Sequence, residues 1–507
     1  MHKLLTRRLS TAVDKTYDIC IVGAGPVGLS LAAKIGNSHY TNGNKICLIE
    51  SSDVLKSLEE NDTFSNRVVS VTPKSRLFLE EIGCWNNIPE EKVYPYNKIQ
   101  VFDSNFKGSI NFNSRYDEET EVSKASTAPK ECTPSSSYDP VAYIIENNVI
   151  RSSLIKTLKN LNNEIEIFNN TKVNEIILDK GSFNDEWPII KLDSGKVIQA
   201  RLLIGADGQN SPVRMAANIE SIGWDYDQSG IVGTLKVSGC STVAFQRFLP
   251  TGPIALLPLK DKYMSLVWTL PKNISNLLFN LKKLNLKNDK MIFKEILNTA
   301  LKNPKEDLLY FFSELEKLND GKINFQNISE ADKLKIELEL NAIDFKFERE
   351  WGIKRLDSEQ GGISVHDTIP VVEDIVKNSV AGFPLRLRNC RTYIGNRIAL
   401  IGDAAHSIHP LAGQGLNLGL ADSEALGRVL IKAIKNGDDF GLDYILEEYN
   451  SERYIKNLLM ISSCDILEKV FVKVPSQFRI FEDLISFGLN SLNKMDVLKE
   501  TLKKYAS

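Results

Sequence analysis

Gly23, Gly25 and Gly28, in the stretch YDICIVGAGPVGLSLAAKI, stand in GxGxxG spacing. Each position has its own physical reason. The first glycine allows a tight turn, the second lets backbone approach a pyrophosphate, and the third lets a helix pack close to the sheet. Ile19, Ile21 and Val22 read as a buried strand before the turn. The helix that follows offers free N–H groups and the positive end of its dipole to phosphate. The next strand, KICLIE, ends in Glu50, 22 residues beyond Gly28, where a carboxylate binds a ribose diol. These features predict an adenine dinucleotide and leave NAD and FAD both open.

Two further strand-to-turn junctions bear on that choice. ARLLIGADGQNSPVR carries a buried strand at Leu202–Ile204, then Asp207 and Gly208, with Ser211 as N-cap and Pro212 at the first helical position. NRIALIGDAAHSIHPLAGQGLNLGLADSEAL starts as a strand at Arg397–Ile401, passes Gly402 and Asp403, and ends with helical periodicity. FAD is longer than NAD, and its ring needs anchors beyond one βα unit. Two added junctions supply them.

The three fingerprints, GxGxxG, Asp-Gly and Gly-Asp in that order, resemble the flavin-dependent aromatic hydroxylases of the para-hydroxybenzoate hydroxylase fold. FQRFLPTGPIALLPL, FPLRLR and LIGDAAHSIHPLAGQGLNLGLAD narrow the resemblance to the ubiquinone-biosynthesis hydroxylases, in particular the fungal mitochondrial C5-hydroxylases of the polyprenylated ring. The resemblance covers residues 16 to about 460 and weakens at 114–140 and 273–350. It implies that Gly402 and Asp403 hold the ribityl chain of FAD, that Asp207 and Gly208 lie against the dinucleotide, and that Arg67 and Arg151 contact the cofactor. Pro410 and Leu411 then turn the chain beside the isoalloxazine, with Leu411 next to a substrate tunnel. Gly413 and Gly415 let backbone approach the ring, and Asn417 sits in the first turns of the helix whose dipole faces the flavin edge. His406 and His409 read as packing and hydrogen-bonding residues rather than general bases, so no catalytic side chain is singled out and no metal set is visible.

The implied activity is FAD-dependent hydroxylation of a polyprenylated phenol by O2 through a flavin C4a-hydroperoxide. The flavin carries the hard chemistry, and the protein orients the ring and excludes water. Two rivals share the fold: a flavoprotein polyprenyl reductase or dehydrogenase, and a non-enzymatic prenyl carrier. A second GxGxxG unit for NADPH is missing. The resemblance points to ferredoxin with its reductase as electron donor and leaves NADPH as the alternative. Further expected partners are other ubiquinone-biosynthesis proteins and a membrane surface, on the matrix side of the mitochondrial inner membrane.

The elements that must position these residues follow. The expected fold is α/β: a glutathione-reductase-type FAD-binding domain built discontinuously from 16–97, 140–215 and 390–460, interleaved with a β-sheet substrate domain from 98–139 and 216–389. The runs VAFQRFL, PIALLPL and YMSLVWTL are short and β-rich and suit the substrate sheet. Residues 273–350 are lysine- and leucine-rich with helical spacing and read as an inserted helical excursion, in which LKKLNLKNDK suits either a solvated face or a basic membrane-facing one. Residues 114–139 are polar and rich in Ser, Thr and Pro, the composition of an exposed insertion.

The chain has 507 residues, 42% apolar and 25% charged, with a net charge of −3. That balance suits a globular protein of two or three domains and gives no basic field for nucleic acid. Seven cysteines without CxxC spacing argue against a zinc site or disulfide framework. No apolar run reaches the length of a bilayer span. The start, MHKLLTRRLSTAV, is basic and acid-free, as in a mitochondrial transit peptide or a basic tail over residues 1–15. At the other end, 461–507 reads as helical. From Phe478 to Leu502 apolar residues recur on one face, which either packs on the core or meets a membrane or partner.

Overall fold

The computed structural model describes residues 12–54, 65, 67–113, 140–161, 165–178, 187–239, 242–283, 289–319, 330–341, 368–410, 413–472, 486–491 and 493. Five parallel strands form the centre of the first sheet, in the spatial order Ile398–Leu400, Val197–Gly205, Lys15–Val22, Ile46–Ile49 and Ile165–Phe168. Their residues are apolar almost without a break, because helices cover both faces of a parallel sheet and neither face meets water. Ile19, Ile21, Leu48, Leu203, Ile204 and Ala399 are all fully buried. The register is what matters for function. Val22 pairs with Ile49 on one side and with Gly205 on the other, and Gly205 pairs with Leu400. Strands from four distant parts of the chain therefore end at one level. The first begins at Lys15, inside the stretch read as a leader or tail.

Helices Pro26–Gly36, Asn147–Lys159 and Gly415–Asn436 pack into the same core as these strands. A three-stranded sheet of Val68–Val71, Ala142–Glu146 and Tyr94–Tyr96 adjoins them.

The second large sheet has nine strands, and its backbone is Ser221–Val237, Tyr263–Pro271, Gly252–Pro258 and Val243–Leu249. These include the three β-rich runs read from the sequence. Alternation along them separates two faces. Ile231, Leu235, Met264, Leu266, Trp268 and Leu270 point to one side, where they share a core with helices Lys272–Lys283, Asp289–Lys302, Lys305–Asn319 and Glu330–Asn341. The described part of the excursion at 273–350 thus contains four helices packed on one face of this sheet. A cavity of about 210 Å³ lies between them and the sheet, lined mainly by apolar residues such as Ile231, Phe279 and Ile296. From the opposite face, Ala244 and Leu257 join Tyr96 and Ile144 of the small sheet.

Helix Asp443–Val472 runs unbroken through position 461, where the sequence suggested a boundary. Residues 486–491 form a further helical turn that is clamped to the edge of the large sheet. The Ser109 amide donates to Asn490 Oδ1 (3.0 Å) and the Asn111 amide donates to Asn493 Oδ1 (2.9 Å). Asn490 Nδ2 donates to the Lys107 carbonyl (3.0 Å), Ser486 donates to Asp103, and Leu489 is buried beside Val101, Ile110 and Phe248. Side-chain amides here occupy an edge strand's open N–H groups, which would otherwise template further pairing. The described part of the C-terminal run therefore packs on the protein itself. Residues 1–11, 114–139 and Leu411 lie outside the described residues.

Replacing Asn490 and Asn493 together with alanine removes both acceptors from this edge. The expected loss is about 1 to 3 kcal/mol of unfolding free energy, measured by denaturant titration. A midpoint equal to that of the parent would show that the clamp contributes nothing.

Candidate functional site

The common level of the strand ends gathers the three sequence junctions onto one edge. Gly23, Glu50, Ala206 and Ile401 follow directly after the paired residues Val22, Ile49, Gly205 and Leu400. The junctions also touch. Gly23 has φ +108°, and a side chain there would run into the Ala206 carbonyl at 2.3 Å. Gly28 is as tightly held, since an added Cβ would lie 2.0 Å from the Gly23 carbonyl oxygen. Gly25 differs: nothing lies within 4 Å of the corresponding position. So the first and third glycines close the turn onto the protein, while the second faces open space. Helix Pro26–Gly36 starts there with no side-chain cap, and the first-turn N–H groups are left for a ligand.

Glu50 is bound into this turn. Its carboxylate accepts from the Ala24 amide (2.7 Å), the Ser52 amide (2.8 Å) and the Ser52 hydroxyl (2.6 Å). Arg151 lies 3.9 Å from it and donates through Nε to the Ala24 carbonyl (3.0 Å) and through Nη2 to Ser52 Oγ (3.2 Å). Burial alone would raise the Glu50 pKa, but the Ser52 and Ala24 hydrogen bonds and the Arg151 charge more than reverse it, and the group is held below its ordinary value. Glu50 is thus an ionised acceptor beside the turn. Arg67 lies nearby in sequence to the small sheet. Its side chain is exposed and has no hydrogen-bond or ion-pair partner among the described residues.

At the second junction Asp207 accepts from the Val213 amide through Oδ2 (3.1 Å), whereas its buried Oδ1 has no partner. Burial raises the Asp207 pKa. Gly208 has φ +81° and open space above it. Ser211 caps helix Pro212–Ala216 by accepting from the Arg214 amide (2.9 Å), with Pro212 first in the helix as its sequence predicts. Arg214 then ties this junction to the third by donating to the Ala404 carbonyl (2.9 Å).

The third junction rests on a residue that sequence reading missed. Asp422, fully buried in helix Gly415–Asn436, accepts from the Gly402 amide (3.1 Å) and pairs with His406 Nε2 (2.6 Å). Its other oxygen accepts from Arg453 Nε (2.8 Å) and Asn457 Nδ2 (3.0 Å) of the following helix. Burial would raise the Asp422 pKa, but His406 and Arg453 overcome it and hold the group far below the usual carboxylate range. This hub fixes the corner that presents Asp403. The Asp403 side chain is exposed at the edge, yet protein crowds around it, and that partial desolvation raises its pKa against the opposing effect of His406. The corner also locks to the first motif. Val27 packs against Gly402 and Gly419, and its carbonyl accepts from Ser423 Oγ (2.8 Å).

Past the corner, the Pro410 carbonyl accepts from the Gly413 amide (3.1 Å) and the helix begins at Gly415, with Gln414 as an uncapped N-cap. Asn417 faces inward. It donates to the Ser70 carbonyl (2.8 Å) and accepts from the Thr72 amide (3.1 Å), so it clasps the helix start to strand Val68–Val71. His409 is 1% exposed, its ring stands edge-on to Tyr226, and neither nitrogen has a partner. Burial lowers its pKa to about 4, against the raising effect of Asp465. His406 is a structural partner of Asp422, and His409 is a neutral packed ring. Among the described residues no group of three His, Cys, Asp or Glu side chains is placed to hold a metal ion.

The arrangement fits an extended dinucleotide with a polyol section. The open arc at Gly25 and Gly208, the ionised Glu50, the unpartnered Asp207 Oδ1 and the exposed Asp403 all lie along one sheet edge. The helices that start at Pro26 and Gly415 both lack a side-chain cap. The family model described as "FAD binding domain" matches residues 16–273 and 365–456. The chain is 34% identical over 503 residues to the protein of Danio rerio named "Ubiquinone biosynthesis monooxygenase COQ6, mitochondrial", covering 98% of this chain and 91% of that protein. It is 33% identical to the Saccharomyces cerevisiae protein of the same name, over 99% of this chain and 96% of that one. Among solved structures, p-nitrophenol 4-monooxygenase PnpA from Pseudomonas putida superposes with a TM-score of 0.58 at 17% identity, over 97% of this chain and 99% of that chain. PqsL from Pseudomonas aeruginosa, described as a probable FAD-dependent monooxygenase, gives 0.57 at 16% identity, over 92% and 100%.

Two measurements follow from this geometry. Gly25→Ala adds a methyl where only the ligand would be, so the ligand-free protein should melt as the parent does while FAD affinity falls. Gly28→Ala forces a backbone clash and should cost about 3 kcal/mol of stability. Equal melting losses in the two variants would contradict the different roles of the two glycines. The second measurement concerns His409. Its pKa is lower folded than unfolded, so its stabilising effect is complete above the unfolded value and is lost as pH falls toward about 4. Between pH 7 and about 4.5 the parent should lose about 2 to 3 kcal/mol more stability than His409→Gln. Parallel pH profiles would show that the ring is not held neutral.

Proposed function

The chain belongs to the FAD-dependent monooxygenases of ubiquinone biosynthesis, and from that premise we propose that it hydroxylates the C5 position of a polyprenylated, 4-hydroxybenzoate-derived phenol. Bound FAD supplies the oxygen-activating redox chemistry. The observation that carries the reading is the single sheet edge on which Gly25, Glu50, Asp207 and Asp403 stand together.

On this reading each residue has a task. Gly23 and Gly28 shape the turn, and Gly25 admits the pyrophosphate. Glu50 accepts the adenosine ribose hydroxyls, supported by Arg151, whose guanidinium also reaches Ser52. Arg67 gives the cofactor a second cation. Asp207 and Gly208 lie along the dinucleotide, and Gly402 turns the chain so that Asp403 accepts the ribityl hydroxyls. Pro410, Gly413 and Gly415 bring backbone and helix dipole to the ring edge. Asn417 acts through the clasp that sets the helix start. The reading places electron delivery with ferredoxin and its reductase, with NADPH as the alternative, and the protein at the matrix face of the mitochondrial inner membrane among other ubiquinone-biosynthesis proteins. The lipid nature of the phenol supports that location. Stopped-flow flavin reduction by each donor distinguishes the two.

Asp403→Ala should give a folded protein that is largely colourless on purification and does not turn over a short-chain prenylated phenol. The absorbance of the purified variant near the flavin bands measures this. FAD bound at the parent's stoichiometry would remove Asp403 from the cofactor site.

A further inference from the structure

The cavity between the large sheet and its helices belongs to no part of the site described above. Its wall includes Ile231 of the sheet, Leu278 and Phe279 of helix Lys272–Lys283, Ile292 and Ile296 of helix Asp289–Lys302, and Leu340 of helix Glu330–Asn341. Ile231 pairs with Trp268 and Trp268 with Ile254, so this wall lies on the helix-covered face. The opposite face sends Ala244 and Leu257 to Tyr96, whose hydroxyl lies 3.0 Å from Ser70 Oγ, and the Ser70 carbonyl holds Asn417. The sheet therefore stands between the cavity and the start of helix Gly415–Asn436.

Size and chemistry restrict what can fill this space. Close-packed interiors leave few voids larger than a water molecule, and an empty one costs stability in proportion to its volume. At about 210 Å³ the space exceeds the ~150 Å³ of an apolar cavity that takes up benzene. A buried water needs about two to four polar partners, and none of the buried polar side-chain atoms left without a partner belongs to this wall. The interior suits a hydrocarbon rather than water.

The mouth is different. Of the lining residues only Lys282, Lys377 and Asn378 are polar, and among the described residues no acid lines the cavity. Both lysines are exposed, so their stems lie along the apolar wall while their ammonium groups reach water. Lys282 Nζ donates to the Val380 carbonyl across the rim (3.5 Å). The Lys377 side chain has no hydrogen-bond or ion-pair partner among the described residues. Glu373 and Asp374, the acids next to it in sequence, are exposed on strand Val372–Ile375 and stand outside the wall. The turn that carries Lys377 is fixed to the sheet. The Val376 amide donates to the Thr234 carbonyl (2.9 Å), and Ser379 Oγ donates to the Val376 carbonyl (2.8 Å) and accepts from the Thr234 amide (3.0 Å).

We propose that the cavity binds a single-chain amphiphile with an anionic head, of the size of a medium-chain carboxylate. The chain fills the space between helices and sheet, and the head meets Lys377 and Lys282 at the mouth. The bound molecule ties three helices of the 273–350 excursion to the sheet.

Calorimetric titration of the FAD-loaded full chain with decanoate, decanol and decyltrimethylammonium, each below its micelle concentration, tests this. Decanoate should bind saturably and raise the melting temperature. Decanol should bind about fivefold more weakly, the worth of one exposed ion pair, and decyltrimethylammonium should show no saturable binding. Ile296→Trp fills the space and should abolish decanoate binding with FAD occupancy unchanged. Lys377→Glu, a change at an exposed position, should melt as the parent does and remove the preference for decanoate over decanol. A parent with no saturable decanoate binding overturns the proposal, and so does decyltrimethylammonium that binds as tightly as decanoate. An Ile296→Trp variant that binds decanoate as the parent does overturns it too, because the chain then lies elsewhere. Should Ile296→Trp fail to fold, the Lys377→Glu titration decides alone, and an unchanged preference for decanoate there overturns the proposal.

Discussion

The carboxylate of Asp422 is the interaction on which the rest of the site depends. It sits without solvent exposure among a backbone amide, a histidine, an arginine and an asparagine. A buried charge is expensive unless every lone pair is used, and removing one partner costs about 3 to 5 kcal/mol. Here the hydrogen-bond set is filled from three elements: the turn at Gly402, the strand at His406 and the long helix at Arg453 and Asn457. The hub therefore does more than stabilise. It makes the Gly402–Asp403 corner a geometric consequence of where two helices pack, and Val27 carries that constraint to the glycine turn of the first motif.

A cofactor held this way is bound by parts of the chain that lie far apart in sequence. Parallel pairing brings their strand ends to one level, and close contacts at Gly23, Gly28 and Gly402 keep the junctions at fixed separations. An enzyme that uses a flavin needs its own groups mainly for position and for exclusion of water, because the cofactor supplies the reactivity. The absence of an evident acid–base pair from the sequence fits that division of labour. The two histidines of the third motif fit it as well: one is engaged by Asp422 and the other is packed against Tyr226.

Much of this was legible in the sequence because the chemistry is local. GxGxxG, the strand ending in Glu50, the Ser211-Pro212 helix start and the Gly-Asp turn each occupy a few consecutive residues whose backbone needs are written in residue type. What stayed hidden depends on pairing at long range. Asp422 reads as one acid in a helix until Arg453 and His406 are seen around it, and an acid on the small-residue face LNLGLAD was the available signal. Asn417 reads as a ligand residue at a helix start, but its amide is taken by Ser70 and Thr72, over three hundred positions earlier. The periodic C-terminal run left two uses open. Asn490 and Asn493 show that its described part closes a sheet edge.

With FAD on this edge, hydroxylation puts one atom of O2 into the phenol ring. Turnover of a short-chain prenylated phenol under 18O2, followed by mass spectrometry of the product, tests that directly. One 18O atom in the ring hydroxyl, with none acquired from 18O-labelled water under ordinary O2, is the predicted result. A reduced or dehydrogenated product without label from O2 would contradict it.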